Sequence, residues 1–181
     1  MIMRDEVQAL IDEGASYVQL DAPSYSTFFD PKRRASLQAS GIDPVEALDA
    51  AIAADNAMIQ DIKRRPEVLI GIHFCRGNKR SAWGAEGSYE PIAEKAFSSL
   101  KMDRYLMEFD TERAGGFEPL RFVPKGKTIV LGLITTKEPQ LESEDELLRR
   151  IEQASKYVPV ENLALSTQCG FASAASGNLL S

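Results

Sequence analysis

The chain has one histidine and two cysteines, and it places the histidine and one cysteine two positions apart, in the segment LIGIHFCRGN (69–78). A strand-like apolar run ends there in His73-Phe74-Cys75 and breaks into Arg-Gly-Asn. In a strand, residues i and i+2 point to the same side, so His73 and Cys75 can face one point together. An imidazole and a thiolate presented this way suit zinc. Cys169, just before Gly170 at the end of another apolar run, offers a second thiolate, and Glu108 offers a carboxylate oxygen. The competing reading is plain burial, because cysteine is among the most buried residue types and a His-x-Cys pair on an apolar strand can be core. Glu108 and Asp110 could equally cap a strand or pair with Arg113. Asp21, ahead of Ala22-Pro23, could be turn chemistry.

These residues stand at the ends of strand-like segments separated by helices. Residues 2–13 carry Ile2, Val7, Leu10 and Ile11 at roughly helical spacing, closed by Gly14. YVQLDAPSY (17–25) is a short strand-like segment halted by Pro23. In 43–65, Val45, Leu48, Ile52, Ile59 and Ile62 share one helical face, with Asp43 as N-cap and Pro44 at the first helical position. EVLIGIHFC (67–75) is apolar almost throughout, the mark of a strand covered on both faces. A short helix is expected over 89–101, and strands over 103–110 and 126–136. Residues 143–158 read as an amphipathic helix with Ser143 and Glu146 as a capping box, and NLALSTQCG (162–170) as a fifth strand.

Short buried strands alternating with helices predict parallel βαβ units. A doubly wound sheet and a (β/α)8 barrel share that pattern, and both gather ligands at the C-terminal ends of their strands. Those ends hold Asp21, then His73 and Cys75, then Glu108 with Asp110, then Thr135, Thr136 and Lys137, and last Cys169. Five strands are too few to close a barrel, which takes about 250 residues. Only FASAASGNLLS follows the last strand. The expectation is one partial barrel domain over residues 1–181, part of a larger barrel.

Composition narrows the function classes. The net charge is −6, with lysine and arginine scattered rather than clustered, so there is no electrostatic case for nucleic acid or an anionic membrane. No apolar run reaches the roughly 18–20 residues of a membrane span. The opening MIMRDEVQAL lacks a signal-peptide core, and the expected location is the cytoplasm. In a reducing compartment, two distant cysteines read as buried thiols or metal ligands rather than as a disulfide framework.

Taken in order, YVQLDAPSY, IHFC, YLMEFD and LALSTQCGFAS resemble the C-terminal catalytic barrel of cobalamin-independent methionine synthase. The likeness is closer to short bacterial relatives built of that barrel alone. CRGNKRSAWGAEGSYEPIAEK and ERAGGFEPLRFVPKGK look like insertions of that subgroup. The resemblance spans essentially the whole chain and implies an α/β fold of the (β/α)8 TIM-barrel type, with about the last five strands present. It implies zinc held by His73, Cys75, Glu108 and Cys169, and Asp21 holding the homocysteine amino group. It also implies methyl transfer to the homocysteine thiol, from 5-methyltetrahydrofolate, in methionine biosynthesis. A free thiol, with pKa about 8.5, is mostly protonated at neutral pH; zinc makes it a thiolate and holds the sulfur in place.

Two departures from that family stand out. The large synthases carry Asp-Ile-His-Ser-Pro after the fourth of these strands, with a histidine that relays a proton to the folate. This chain has LITTKEP (133–139), where Lys137 is either a substitute donor or a solvated lysine. The second departure is length: only about the last five of the eight strands are matched, which implies a truncated gene product, a partial reading frame or an excised fragment. An open half-barrel exposes strand edges and an apolar interior, so it is expected to self-associate or to bind a complementary barrel segment. Two further readings remain open: a non-catalytic barrel fragment that needs a partner, and a related zinc enzyme alkylating another thiol such as coenzyme M. The loops 76–87 and 112–119 are expected to border the substrate mouth, with no residue-level role for Arg76, Trp83 or Arg113.

Overall fold

Local chemistry sets where each element starts and stops. In the computed structural model, which describes residues 2–172 and 175–179, α1 (Ile2–Asp12) leads into β1 (Tyr17–Asp21). The helices α2 (Ser26–Phe29), α3 (Pro31–Ala39) and α4 (Pro44–Ile59) precede β2 (Leu69–Phe74). A small antiparallel hairpin follows, β3 (Asn78–Lys79) and β4 (Ala82–Trp83), then α5 (Glu90–Ser99), β5 (Arg104–Glu108), β6 (Thr128–Ile134), α6 (Glu144–Ser155) and β7 (Leu163–Thr167). Gly14, at φ +106°, turns the chain out of α1, a conformation that side-chain-bearing residues rarely adopt. Asp43 caps α4 by accepting from Val45 N–H at 2.8 Å, and Ser143 caps α6 through Glu146 N–H at 3.3 Å.

Two stretches go beyond the sequence reading. Asp30-Pro31 opens α3 with the same chemistry as Asp43-Pro44, Asp30 accepting from Lys32 and Arg33 N–H. The sequence PKRRASLQA gave no periodic apolar signal because α3 buries no residue. The β3–β4 hairpin turns at Arg80 and Ser81, both at positive φ without glycine, so the usual hairpin signature is missing. One boundary also moves. The helix expected over 43–65 stops at Ile59, so Ile62 packs from outside it, and Val45 is 44% exposed because it lies in the first turn, off the buried Leu48–Ile52 stripe.

The five long strands form one parallel sheet in the order β1-β2-β5-β6-β7. Its two faces differ sharply. One face carries Val18, Leu20, Ile70, Ile72, Phe74, Tyr105, Met107, Ile129, Leu131 and Leu133, all buried in the helix-covered core. The other carries Gln19, Asp21, His73, Leu106, Val130 and Ser166, which are exposed or half-buried and line an open cavity. A doubly wound sheet buries both faces under helices; this sheet covers one and lines a lumen with the other, as a barrel segment does. The near-continuous apolar run of β2 therefore marks one deeply buried face, with Leu69 and His73 half-buried on the lumen side. No helix among the described residues is long and apolar enough to cross a membrane.

Phe74 anchors the covered face, its ring meeting those of Tyr25, Tyr89, Phe97 and Tyr105. Phe74→Ala is expected to cost about 3–5 kcal/mol in urea unfolding, whereas Leu165→Ala on the thinly covered β7 should cost under about 1 kcal/mol. At the other end of the sheet, Asp103 accepts from Ile70 N–H at 2.8 Å and pairs with Arg64, fixing the start of β2 against β5. Burial opposes its ionisation, but the Arg64 guanidinium and the Ile70 N–H outweigh burial and hold its pKa below the ordinary carboxylate value. A group depressed on folding stabilises above its unfolded pKa, about 3.9, and that stabilisation is lost as pH falls through the folded value. Acid titration of the unfolding midpoint from about pH 5 to about pH 2 should therefore show a steeper loss for the unmodified chain than for Asp103→Asn.

Candidate metal centre

The parallel register brings the strand ends to one edge. Asp21 lies opposite His73 across β1–β2, His73 opposite Leu106 across β2–β5, and Glu108 opposite Gly132 across β5–β6. Cys75 follows the end of β2, and Cys169 lies just past β7. The structure thus brings Asp21, His73, Cys75, Glu108 and Cys169 to one place. The candidate donor atoms of Cys75, Glu108 and Cys169 all lie within 4.8 Å of one another, and so do those of Asp21, His73 and Cys75.

The pairwise geometry separates the roles within this cluster. His73 Nδ1 is 2.9 Å from Asp21 Oδ1, and its Nε2 is 3.2 Å from Glu108 Oε1. Burial disfavours the imidazolium, but the two carboxylates outweigh it and raise the His73 pKa to about 10. The Cys75 thiol is pushed up by its contact with Cys169, by burial and by the nearby Glu108 charge. Thiols, carboxylates and an imidazole thus share one electron-rich cluster.

The donor set fits a tetrahedral zinc ion. The Cys75 and Cys169 sulfurs are 3.9 Å apart, too far for a disulfide. Two sulfurs about 2.3 Å from a tetrahedral zinc ion stand about 3.8 Å apart. Glu108 is fully buried. Its Oε1 makes no hydrogen bond among the described residues, and its polar neighbour is His73 Nε2 at 3.2 Å. A carboxylate oxygen at this depth is costly unless positive charge meets it, which His73 or a metal ion held by the same atoms could supply. A carboxylate on Nδ1 also fixes the imidazole so that Nε2 can serve as donor.

The supporting residues were largely invisible to sequence reasoning. Gln168 Nε2 donates to the other Glu108 oxygen at 2.9 Å, and Thr136 Oγ1 donates to Gln168 Oε1 at 2.8 Å. Gly132 makes room for this contact, since a Cβ there would come within 2.9 Å of Gln168 Cα. The signals in the chain were a glutamine directly before Cys169 and Thr136 among the strand-end residues, neither carrying a role by itself. Lys137 is not solvated: it is only 5% exposed, and its Nζ donates to Gly77 O at 3.1 Å while Gly77 N–H donates to the Cys75 sulfur at 3.3 Å. Burial lowers its pKa against the pull of Glu108, Cys169, Asp110 and Cys75.

Asp110 stays outside the donor set, accepting from Trp83 Nε1 and Thr135 Oγ1. Arg113 pairs with Glu86 at 3.0 Å and lies over the Trp83 ring, so the alternative that it pairs with Glu108 or Asp110 gives way to an acid in the neighbouring loop between β4 and α5.

Residues 1–179 match the family model described as the cobalamin-independent synthase, catalytic domain. The chain belongs to this family. It is 45% identical over 176 residues to the uncharacterized protein YxjH of Bacillus subtilis, covering 96% of this chain and 46% of that one. It is 25% identical over 171 residues to the methionine synthase of Pyrococcus abyssi, covering 93% of this chain and 40% of that one. A structure from Listeria monocytogenes, assigned provisionally as a vitamin-B12-independent methionine synthase, superposes with a TM-score of 0.74 at 34% identity, covering 94% of this chain and 46% of that one. The five-stranded sheet is thus a partial barrel of the TIM type seen in these synthases. The chain spans about half the length of the curated relatives it matches.

Within this synthase fold, Gln168 is the link between β6, β7 and the buried carboxylate. Gln168→Leu strands both Glu108 Oε2 and Thr136 Oγ1, and is expected to lower stability by about 1–3 kcal/mol in urea unfolding.

Proposed function

We propose that this chain carries the metal centre of a cobalamin-independent methionine synthase-type methyltransferase, transferring a methyl group to the thiol of homocysteine. Residues 1–181 act in this reading as one piece of the catalytic barrel. His73 Nε2, the Cys75 and Cys169 sulfurs and Glu108 Oε1 hold zinc. The observation that carries the reading is the pair of sulfurs at 3.9 Å beside a buried carboxylate oxygen without a hydrogen-bond partner. When bound, zinc supplies the positive charge that keeps a substrate thiol ionised at neutral pH.

The chain's own residues account for the rest. Asp21 gives one oxygen to His73, yet its side chain is 59% exposed at the edge of a 460 Å³ cavity. Its carboxylate can therefore orient the imidazole and take the homocysteine ammonium as well. Gln19, Leu106, Val130 and Ser166 form the nearby wall, apolar against a short thioether chain and polar toward its amino-acid end. The new sulfur–carbon bond forms as the nitrogen–carbon bond of the methyl donor, a methyltetrahydrofolate, breaks, and the departing nitrogen takes a proton. In this reading the proton comes from Lys137, the buried lysine that follows β6 and now donates to Gly77 O. The open lumen face and the edges β1 and β7 are the surfaces that a complementary barrel segment covers, and turnover is expected with them covered. A cytoplasmic setting, where thiols stay reduced, suits such a centre.

Protein purified without added metal should hold about one zinc per chain by elemental analysis, and Cys75→Ala and Cys169→Ala should each lose most of it. Full zinc in both cysteine variants would overturn the ligand assignment. Asp21→Asn keeps an acceptor for His73, so it should keep zinc while weakening homocysteine binding about 10-fold or more in calorimetry of the zinc-loaded chain. Unchanged homocysteine affinity would remove Asp21 from the substrate site.

A further inference from the structure

Among the described residues Arg76 is the largest fully buried side chain, 1% exposed, and its charge meets no carboxylate of theirs. Its guanidinium lies between two rings, 4.6 Å from the centroid of Phe29 and 4.3 Å from that of Tyr89. Its three nitrogens fan out to three backbone carbonyls: Nη1 to Gly87 at 2.7 Å, Nη2 to Ala114 at 3.3 Å and Nε to Glu108 at 3.4 Å. A buried cation without a counter-ion is expensive, and an apolar side chain could occupy the space between two rings. What an apolar side chain cannot do is hold three segments at fixed directions from one planar fork.

Tyr89 completes the arrangement from the other side. Its hydroxyl accepts from Glu108 N–H at 3.0 Å and donates to Phe74 O at 3.3 Å. Phe74 and Arg76 flank Cys75 directly. The stacked Arg76–Tyr89 unit therefore grips the chain on both sides of Cys75 and takes both the N–H and the carbonyl of Glu108.

We propose that Arg76 and Tyr89 are a positioning pair that sets the separation between the Cys75 sulfur and the Glu108 carboxylate, and thereby the affinity and ligand field of the metal centre. This rests on the zinc reading above. Neither residue touches the metal or the substrate; both act through the backbone of residues that do. The pair explains why the residue after Cys75 is a buried arginine rather than a core hydrophobe.

Co(II) titration of the full chain tests it, with affinity from chelator competition and geometry from the thiolate and d–d absorption bands. Tyr89→Phe keeps the ring and its stack on Arg76 but loses both hydroxyl bonds; Arg76→Lys keeps the charge but loses the fork. Each is expected to weaken Co(II) binding about 10-fold, in line with outer-shell effects at other metal sites, and to shift the absorption bands. Tyr105→Phe is the control, because that hydroxyl also serves the buried core, donating to Leu100 O at 2.9 Å, with no hydrogen bond to Phe74, Cys75, Arg76 or Glu108. Tyr105→Phe should lower the unfolding midpoint and leave Co(II) affinity and spectrum unchanged. If Arg76→Lys does not fold, Tyr89→Phe decides the matter. Wild-type affinity and spectrum in Tyr89→Phe would overturn the positioning role alone. Wild-type protein that binds no Co(II), or Cys75→Ala that binds it equally well, would overturn the metal reading and this one together.

Discussion

A carboxylate with no access to water sets the constraint around which the rest of this structure is arranged. Glu108 ends a central strand with its side chain fully buried, beside two sulfurs and an imidazole. An ionised carboxylate at such depth is tolerable only when every lone pair finds hydrogen bonds or positive charge. One oxygen is met by Gln168, itself held by Thr136. The backbone on either side is met by Tyr89 and Arg76. The remaining oxygen faces the donor cluster, with His73 Nε2 at 3.2 Å, and is the oxygen that the proposed metal centre would take up.

The sheet distributes its two faces to serve that point. The helix-covered face is aromatic and aliphatic, with Phe74 stacking among Tyr25, Tyr89, Phe97 and Tyr105. It supplies the rigidity that fixes a strand end within tenths of an ångström. The lumen face is left half-open and polar where the strands end, so the donor residues border a cavity instead of filling a core. Rigid behind and accessible in front is the division that the proposed metal and substrate site would need.

Charge is arranged with the same economy. In the proposed centre, two thiolates and a carboxylate exceed the charge of a divalent ion, and a substrate thiolate would widen the excess. Two buried cations flank the cluster. Lys137 reaches it through the Gly77 peptide whose N–H meets the Cys75 sulfur, and Arg76 through the backbone of Glu108. At low effective dielectric such neighbours count for far more than surface charges do.

How much of this was legible in the chain itself depends on the range of the interaction. His-x-Cys on an apolar strand, Glu108 and Cys-Gly at later strand ends, and the capped helices at Asp43 and Ser143 are local signals, written in alternation and spacing over a few residues. Together with the order of the motifs, they determined the alternating α/β architecture, the partial barrel and the residues that gather at its rim. Sequence alone could not choose between the resting places open to a polar side chain in a loop or at a strand end, because these depend on partners tens of residues away. Lys137 lies buried under Gly77, Arg113 turns to Glu86, α3 forms without a buried face, and Arg76 reaches across to Gly87, Ala114 and Glu108. Those choices belong to the tertiary structure, because a buried polar group takes the partner that packing brings within about 3 Å, and strand register decides which groups packing brings there.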